Sequence, residues 1–81
     1  MNSLERGKFI EVLRPYSDKD KRTRWQRGLI IGIGPGVVTE QGRKYTLNEH
    51  DLLVKISNGH ATPETVAILD RRQDNWKVLF R

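Results

Sequence analysis

The apolar residues of this chain come in short runs, and no window of about 11 residues keeps them at helical spacing. The runs are Phe9-Ile10 with Val12-Leu13, Leu29-Ile30-Ile31 with Ile33, Val37-Val38, and Tyr45 with Leu47. They continue as Leu52-Leu53-Val54 with Ile56, Val66-Ala67-Ile68-Leu69, and Val78-Leu79-Phe80. Turn formers separate them: Gly32 to Gly36 around Pro35, Glu40-Gln41-Gly42, Ser57-Asn58-Gly59 and Gln73-Asp74-Asn75. Ile- and Val-rich runs bounded in this way fit a pleated, half-buried surface, so the expected class is all-β. At most one short helical turn is expected, around Asn48 to Asp51 or after Pro63. Pro63-Glu64 suits a first helical turn, but Thr65 to Leu69 is strongly β-branched.

At 81 residues the chain is expected to form a single domain. About five to six short strands in that length predict a single small β-barrel spanning residues 1–81, because a flat sheet would leave two edges and a bare apolar face. Two runs, Leu29 to Ile33 and Leu52 to Ile56, are apolar on both faces. One face would fill the barrel; the other would meet a partner subunit, or be covered by a loop or by the N-terminal segment. Trp76, Val78 and Phe80 alternate with Lys77, Leu79 and Arg81, which predicts a final strand with an aromatic face closing the barrel.

Several classes of protein are excluded by what is missing. The longest apolar stretch, Leu29 to Val38, contains three glycines and falls well short of the roughly 18 residues needed to span a bilayer as a helix. Charges at Glu5, Arg6, Lys8, Glu11 and Arg14 leave no signal-peptide core. With no cysteine there is neither a disulfide frame nor a thiolate metal site. The expectation is a soluble, cytoplasmic protein without a membrane partner.

The net charge of +5 is concentrated. Residues 19–27 carry five cations and one carboxylate, and residues 71–81 add a further net +3. Within the first segment, Lys19, Lys21, Arg22, Arg24 and Arg27 surround Trp25. A basic loop of this kind can follow a phosphate backbone while its indole stacks on a base. Arginine adds a planar fork that grips phosphate. These six residues are therefore the candidate nucleic-acid-binding set, in a loop joining the first two strands. The bland reading of the same segment is a solvated connector with Trp25 folded over the barrel. Arg43-Lys44 and Arg71-Arg72 flank turns, where cations discourage edge pairing.

Other motifs lead nowhere chemical. Gly32-x-Gly34-x-Gly36 has the wrong spacing for a dinucleotide fingerprint and runs into Val37-Val38-Thr39 rather than a helix, so its glycines serve a sharp corner. His50 and His60 lack the spacing and companions of a zinc site, and no cofactor or metal is expected. No serine, histidine or carboxylate arrangement nominates a reaction, so the chain is read as a non-enzyme.

Arg27-Gly28, the apolar run Leu29 to Ile33, Gly34-Pro35-Gly36, Glu40-Gln41-Gly42 and Asp51-Leu52-Leu53-Val54 together resemble the small co-chaperonin family of chaperonin lids. Glu64 to Leu69 is similar to a late strand of that family. The resemblance covers about half of the chain and implies a small β-barrel, co-chaperonin-like or Src-homology-three-like, with assembly into a ring. In such lids a long mobile loop bearing an apolar tripeptide precedes the Arg/Lys-Gly pair; here Tyr16 to Gln26 is shorter, cationic and free of Ile, Val and Leu. The leading functional expectation is thus a non-enzymatic basic module binding DNA or RNA through residues 19–27. The alternative is a structural or protein-interaction subunit of an oligomeric assembly, co-chaperonin-like or an accessory protein of a phage or mobile element.

Overall fold

A computed structural model describes residues 4–15, 21–57, 64–73 and 75–78. The described residues form seven strands and no helix: β1 (Phe9–Pro15), β2 (Thr23–Ile33), β3 (Gly36–Glu40), β4 (Arg43–Leu47), β5 (Asp51–Ile56), β6 (Thr65–Asp70) and β7 (Trp76–Val78). The all-β expectation holds, with one or two more strands than the sequence suggested. The short helical turn allowed at Asn48 to Asp51 is a hydrogen-bonded turn rather than helix: Asp51 N donates to Asn48 O at 3.1 Å, and Asn48 N donates to Asp51 Oδ2 at 2.8 Å.

Five strands make one antiparallel sheet in the order β6-β5-β2-β1-β7, and β3 and β4 form a separate ribbon. The ribbon turns at Gln41-Gly42, where both residues have positive φ (51° and 80°). That is the geometry of a two-residue hairpin whose twist matches the strands it joins.

Alternation along β1 and β2 sorts side chains onto two faces. Ile10, Val12, Ile30, Leu52, Val54, Ile56 and Leu69 form the core on the inner face, and Leu4, Ile33, Ala67 and Trp76 pack against it. Burying each such large aliphatic side chain contributes about 1.5–3 kcal/mol.

β2 does not keep one alternation throughout. Ile30 pairs with Val54, but Gly32 pairs with Leu53 and Ile33 with Leu52, so Ile31 is an extra residue in a bulge. The bulge exchanges faces: Ile33 turns inward with Leu52, and Gly32 turns outward with Leu53. The ribbon covers this outward spot. A methyl group on Gly32 would lie 2.7 Å from Val38 Cγ2 and 3.3 Å from both Leu47 Cδ1 and Leu53 Cβ. Leu47 and Leu53 are buried here, outside the main cluster. Lys55 Nζ meets Glu40 Oε2 at 2.9 Å across the same seam. The two-sided apolar character of β5 therefore arises within one chain, from a core below and a ribbon above.

The sheet curls strongly. Laid flat, β6 and β7 would stand about 19 Å apart, four inter-strand spacings. Instead Leu69 of β6 and Trp76 of β7 share one core, and Trp76 Nε1 donates to Arg71 O at 3.1 Å. Trp76 thus takes the packing role expected of it; Phe80 lies outside the described residues. The closed barrel, however, is not observed: among the described residues no ladder joins β6 to β7. With the second apolar face of β5 covered by the ribbon, burial does not require closure. Among the described residues no helix is long and apolar enough to cross a membrane.

Candidate nucleic-acid interface

The segment expected to be a basic loop is in large part a strand. β2 begins at Thr23, and its first residues pair with β1: Thr23 with Pro15, Arg24 with Arg14, Trp25 with Leu13, Gln26 with Val12, and Arg27 with Glu11. β-Branched Thr23 and aromatic Trp25 suit such a strand. Apolar runs did not mark this extension, because its inward position at 26 is a glutamine. Gln26 is only 7% exposed and takes the place of a core residue, with Nε2 donating to Arg14 O at 2.9 Å.

Strand geometry divides the candidate residues. Trp25 and Arg27 project from the outward face. Arg24 lies on the opposite face of β2, in the row of Arg14 and next to Gln26 along the strand. Lys21 and Arg22 are exposed just before β2 starts, and Lys19 lies outside the described residues.

The outward face adds residues that the sequence reading did not select. Phe9 stands in the row of Leu29, two residues along β1 from Glu11, and is 47% exposed; Trp25 is 42% exposed. The Arg27 guanidinium lies 5.6 Å from the centroid of the Phe9 ring. Lys77, opposite Glu11 on β7, places its ammonium 4.3 Å from the centroid of Trp25 and 3.6 Å from Glu11 Oε1. Two half-exposed aromatic rings thus alternate with two cations on one face of three adjacent strands, β2, β1 and β7, with a carboxylate between them. The signal for Phe9 was present in the sequence: Ile10 and Val12 are the apolar parity of β1, which leaves Phe9 with polar Glu11 on the other. Lys77 joins the group only through the β1–β7 register.

The remaining cation pairs have structural partners in part. Arg72 donates to both carboxylate oxygens of Asp70, at 3.0 and 2.7 Å, and its backbone N adds a third bond at 2.9 Å. The Arg72 hydrogen bonds hold the Asp70 carboxyl well below the usual carboxylate range. Arg71 Nη2 donates to Glu49 O at 2.7 Å and Arg71 N to His50 O at 2.8 Å, tying the turn after β6 to the turn before β5. Arg43 and Lys44 are exposed on the ribbon. His50 lies 3.2 Å from Glu49 through Nε2, and His60 is outside the described residues. Among the described residues no three His, Asp or Glu side chains gather as a metal site would require.

No family model, curated protein or solved structure matches the chain. The arrangement itself must therefore indicate the chemistry. Exposed rings offer π-faces to planar groups, and the neighbouring guanidinium and ammonium offer donors to anions. Planar bases strung on a phosphate chain supply both.

Proposed function

We propose that this chain is a non-catalytic nucleic-acid-binding module. Its contact surface is the outward face of the β1–β2 hairpin, with Trp25, Arg27, Phe9 and Lys77, and it continues round the start of β2 through Lys21 and Arg22 to Arg24 on the opposite face; Lys19, also in the proposed set, lies outside the described residues. The observation that carries this reading is the half-exposed Trp25 ring set among cations on a strand that extends beyond the apolar run. An indole in that position has given up burial, and a base restores it by stacking.

Fluorescence anisotropy with labelled DNA and RNA between roughly 50 and 200 mM salt tests the proposal. With about five cations engaged, log affinity falls against log salt with a slope of about −3 to −5. Replacing Lys21, Arg22 and Arg24 together by Gln weakens binding and flattens that slope by about 2–3. Unchanged affinity in the triple variant refutes the assignment.

A second reading, a subunit of a larger assembly, draws on Val37 (63% exposed) and Ile68 (48% exposed), two aliphatic side chains offered to solvent. Sedimentation at rising concentration tests it, and a strictly monomeric mass removes it.

A further inference from the structure

We propose that the nucleic acid bound is a single strand, and that one unpaired base takes the Trp25 ring from the Lys77 ammonium. This inference rests on the nucleic-acid reading above and narrows it to one class of ligand.

Charge argues against a duplex. Duplex affinity without groove contacts comes from neutralising phosphates. On this face Lys77 lies beside Glu11, and Lys55 beside Glu40 at 2.9 Å. Two carboxylates among the cations make a poor seat for the dense charge of two strands. They matter less to a single strand, whose binding draws on stacking as well.

The rings complete the case. Trp25 and Phe9 offer apolar faces to solvent. Bases in a duplex have both faces covered by their neighbours, so only an unpaired base has a face to give. The Trp25 ring currently has Lys77 over it, at 4.3 Å, with Glu11 holding the same ammonium. A base arriving there brings a phosphate, which accepts from the displaced ammonium in a charge-assisted bond. Lys77 exchanges one anionic neighbour for another, and Trp25 exchanges a cation for a larger planar partner. Glu11 is left repelling the strand, so it is the residue that opposes binding.

The test is anisotropy at one fixed salt concentration with labelled oligo-dT, oligo-rU and a DNA duplex of equal length, using the wild type and the variants Trp25→Ala, Trp25→Phe and Glu11→Gln. Both single strands bind at least about tenfold tighter than the duplex. Loss of one stacking platform in Trp25→Ala weakens single-strand binding by about 5- to 150-fold. Trp25→Phe keeps a ring and recovers part of that loss, which separates stacking from any damage to the fold. Glu11→Gln tightens single-strand binding by up to about fivefold, the worth of one exposed ion pair. If the duplex binds as tightly as the single strands, or Trp25→Ala binds them like the wild type, the proposal is overturned while nucleic-acid binding itself stands. If Glu11→Gln leaves single-strand affinity unchanged, the ammonium exchange is overturned. If the wild type binds none of the three probes, the functional reading falls, and this inference with it.

Discussion

The seam between the β3–β4 ribbon and the sheet makes Gly32→Ala an informative perturbation. The added methyl would lie 2.7 Å from Val38 Cγ2, against the roughly 3.5–4.0 Å of an ordinary carbon–carbon contact. Retreat is obstructed on two other sides, with Leu47 Cδ1 and Leu53 Cβ each at 3.3 Å. The φ of Gly32 lies outside the left-handed region, so alanine has no backbone penalty and gains about 0.4–1 kcal/mol through the unfolded state. Overpacking of this kind costs about 1–3 kcal/mol. The net expectation is a loss of about 1–2 kcal/mol, which for a chain of this size lowers Tm by about 5–15 °C. Thermal unfolding followed by circular dichroism measures it. Val38→Ala removes the methyl in the way, so Gly32→Ala/Val38→Ala should recover at least about 0.5 kcal/mol relative to the sum of the single variants. If Gly32→Ala melts with the wild type, or the double variant is strictly additive, the ribbon does not sit on this face. The account of why β5 is apolar on both sides would then fail.

Three further outcomes follow from the same geometry. Gln41 is held at φ 51°, in the left-handed region that asparagine tolerates better, so Gln41→Asn raises stability by about 0.5–1 kcal/mol in urea unfolding. Asp70 is held below the usual carboxylate range by Arg72, so its contribution is intact above about pH 3.9 and is lost as the pH falls further; Asp70→Asn flattens the acid limb of Tm against pH, and parallel limbs contradict this. Lys55 is shifted in the opposite sense, upward, by its hydrogen bond to Glu40, so its contribution is complete below about pH 10.4 and disappears as the pH rises through the higher folded value. Lys55→Met should remove that part of the alkaline fall in Tm.

Much of this fold was legible because β-branched runs and turn glycines report local conformation directly. The apolar parts of β1, β3, β4, β5 and β6 fall where their runs lie, and the Gln41-Gly42 turn falls where its glycine does. Three features were hidden, each because it depends on pairing across the sequence. The Ile31 bulge is invisible in a continuous apolar run, yet it decides that Gly32 and Ile33 face opposite ways. The first residues of β2 looked like a loop because a strand end that is polar on both faces has no apolar alternation to betray it; Gln26 fills its inward place by bonding to the backbone of the strand beside it. The candidate site was half readable. Trp25 and Arg27 share a parity, and so an outward face, but Lys77 is 50 residues further along the chain and reaches Trp25 only because β7 pairs with β1.

That pairing explains how one strand can serve both stability and binding. At Gly28 and Leu29 β2 has β5 on one side and β1 on the other, β5 continues alongside it to Ile33, and its backbone lies so close to Val54 that position 28 has no room for a side chain. Before Gly28 the core thins to Gln26, and the outward positions carry Trp25 and Arg27 in place of aliphatic residues. Change at the far end of β2 disturbs packing on both faces of the sheet. At the near end only Gln26 is buried; change at the exposed outward cation Arg27 shifts stability by roughly 0.5 kcal/mol or less. Trp25 and Arg27 are therefore placed where a surface can be specialised for a ligand with little cost to the fold that holds it.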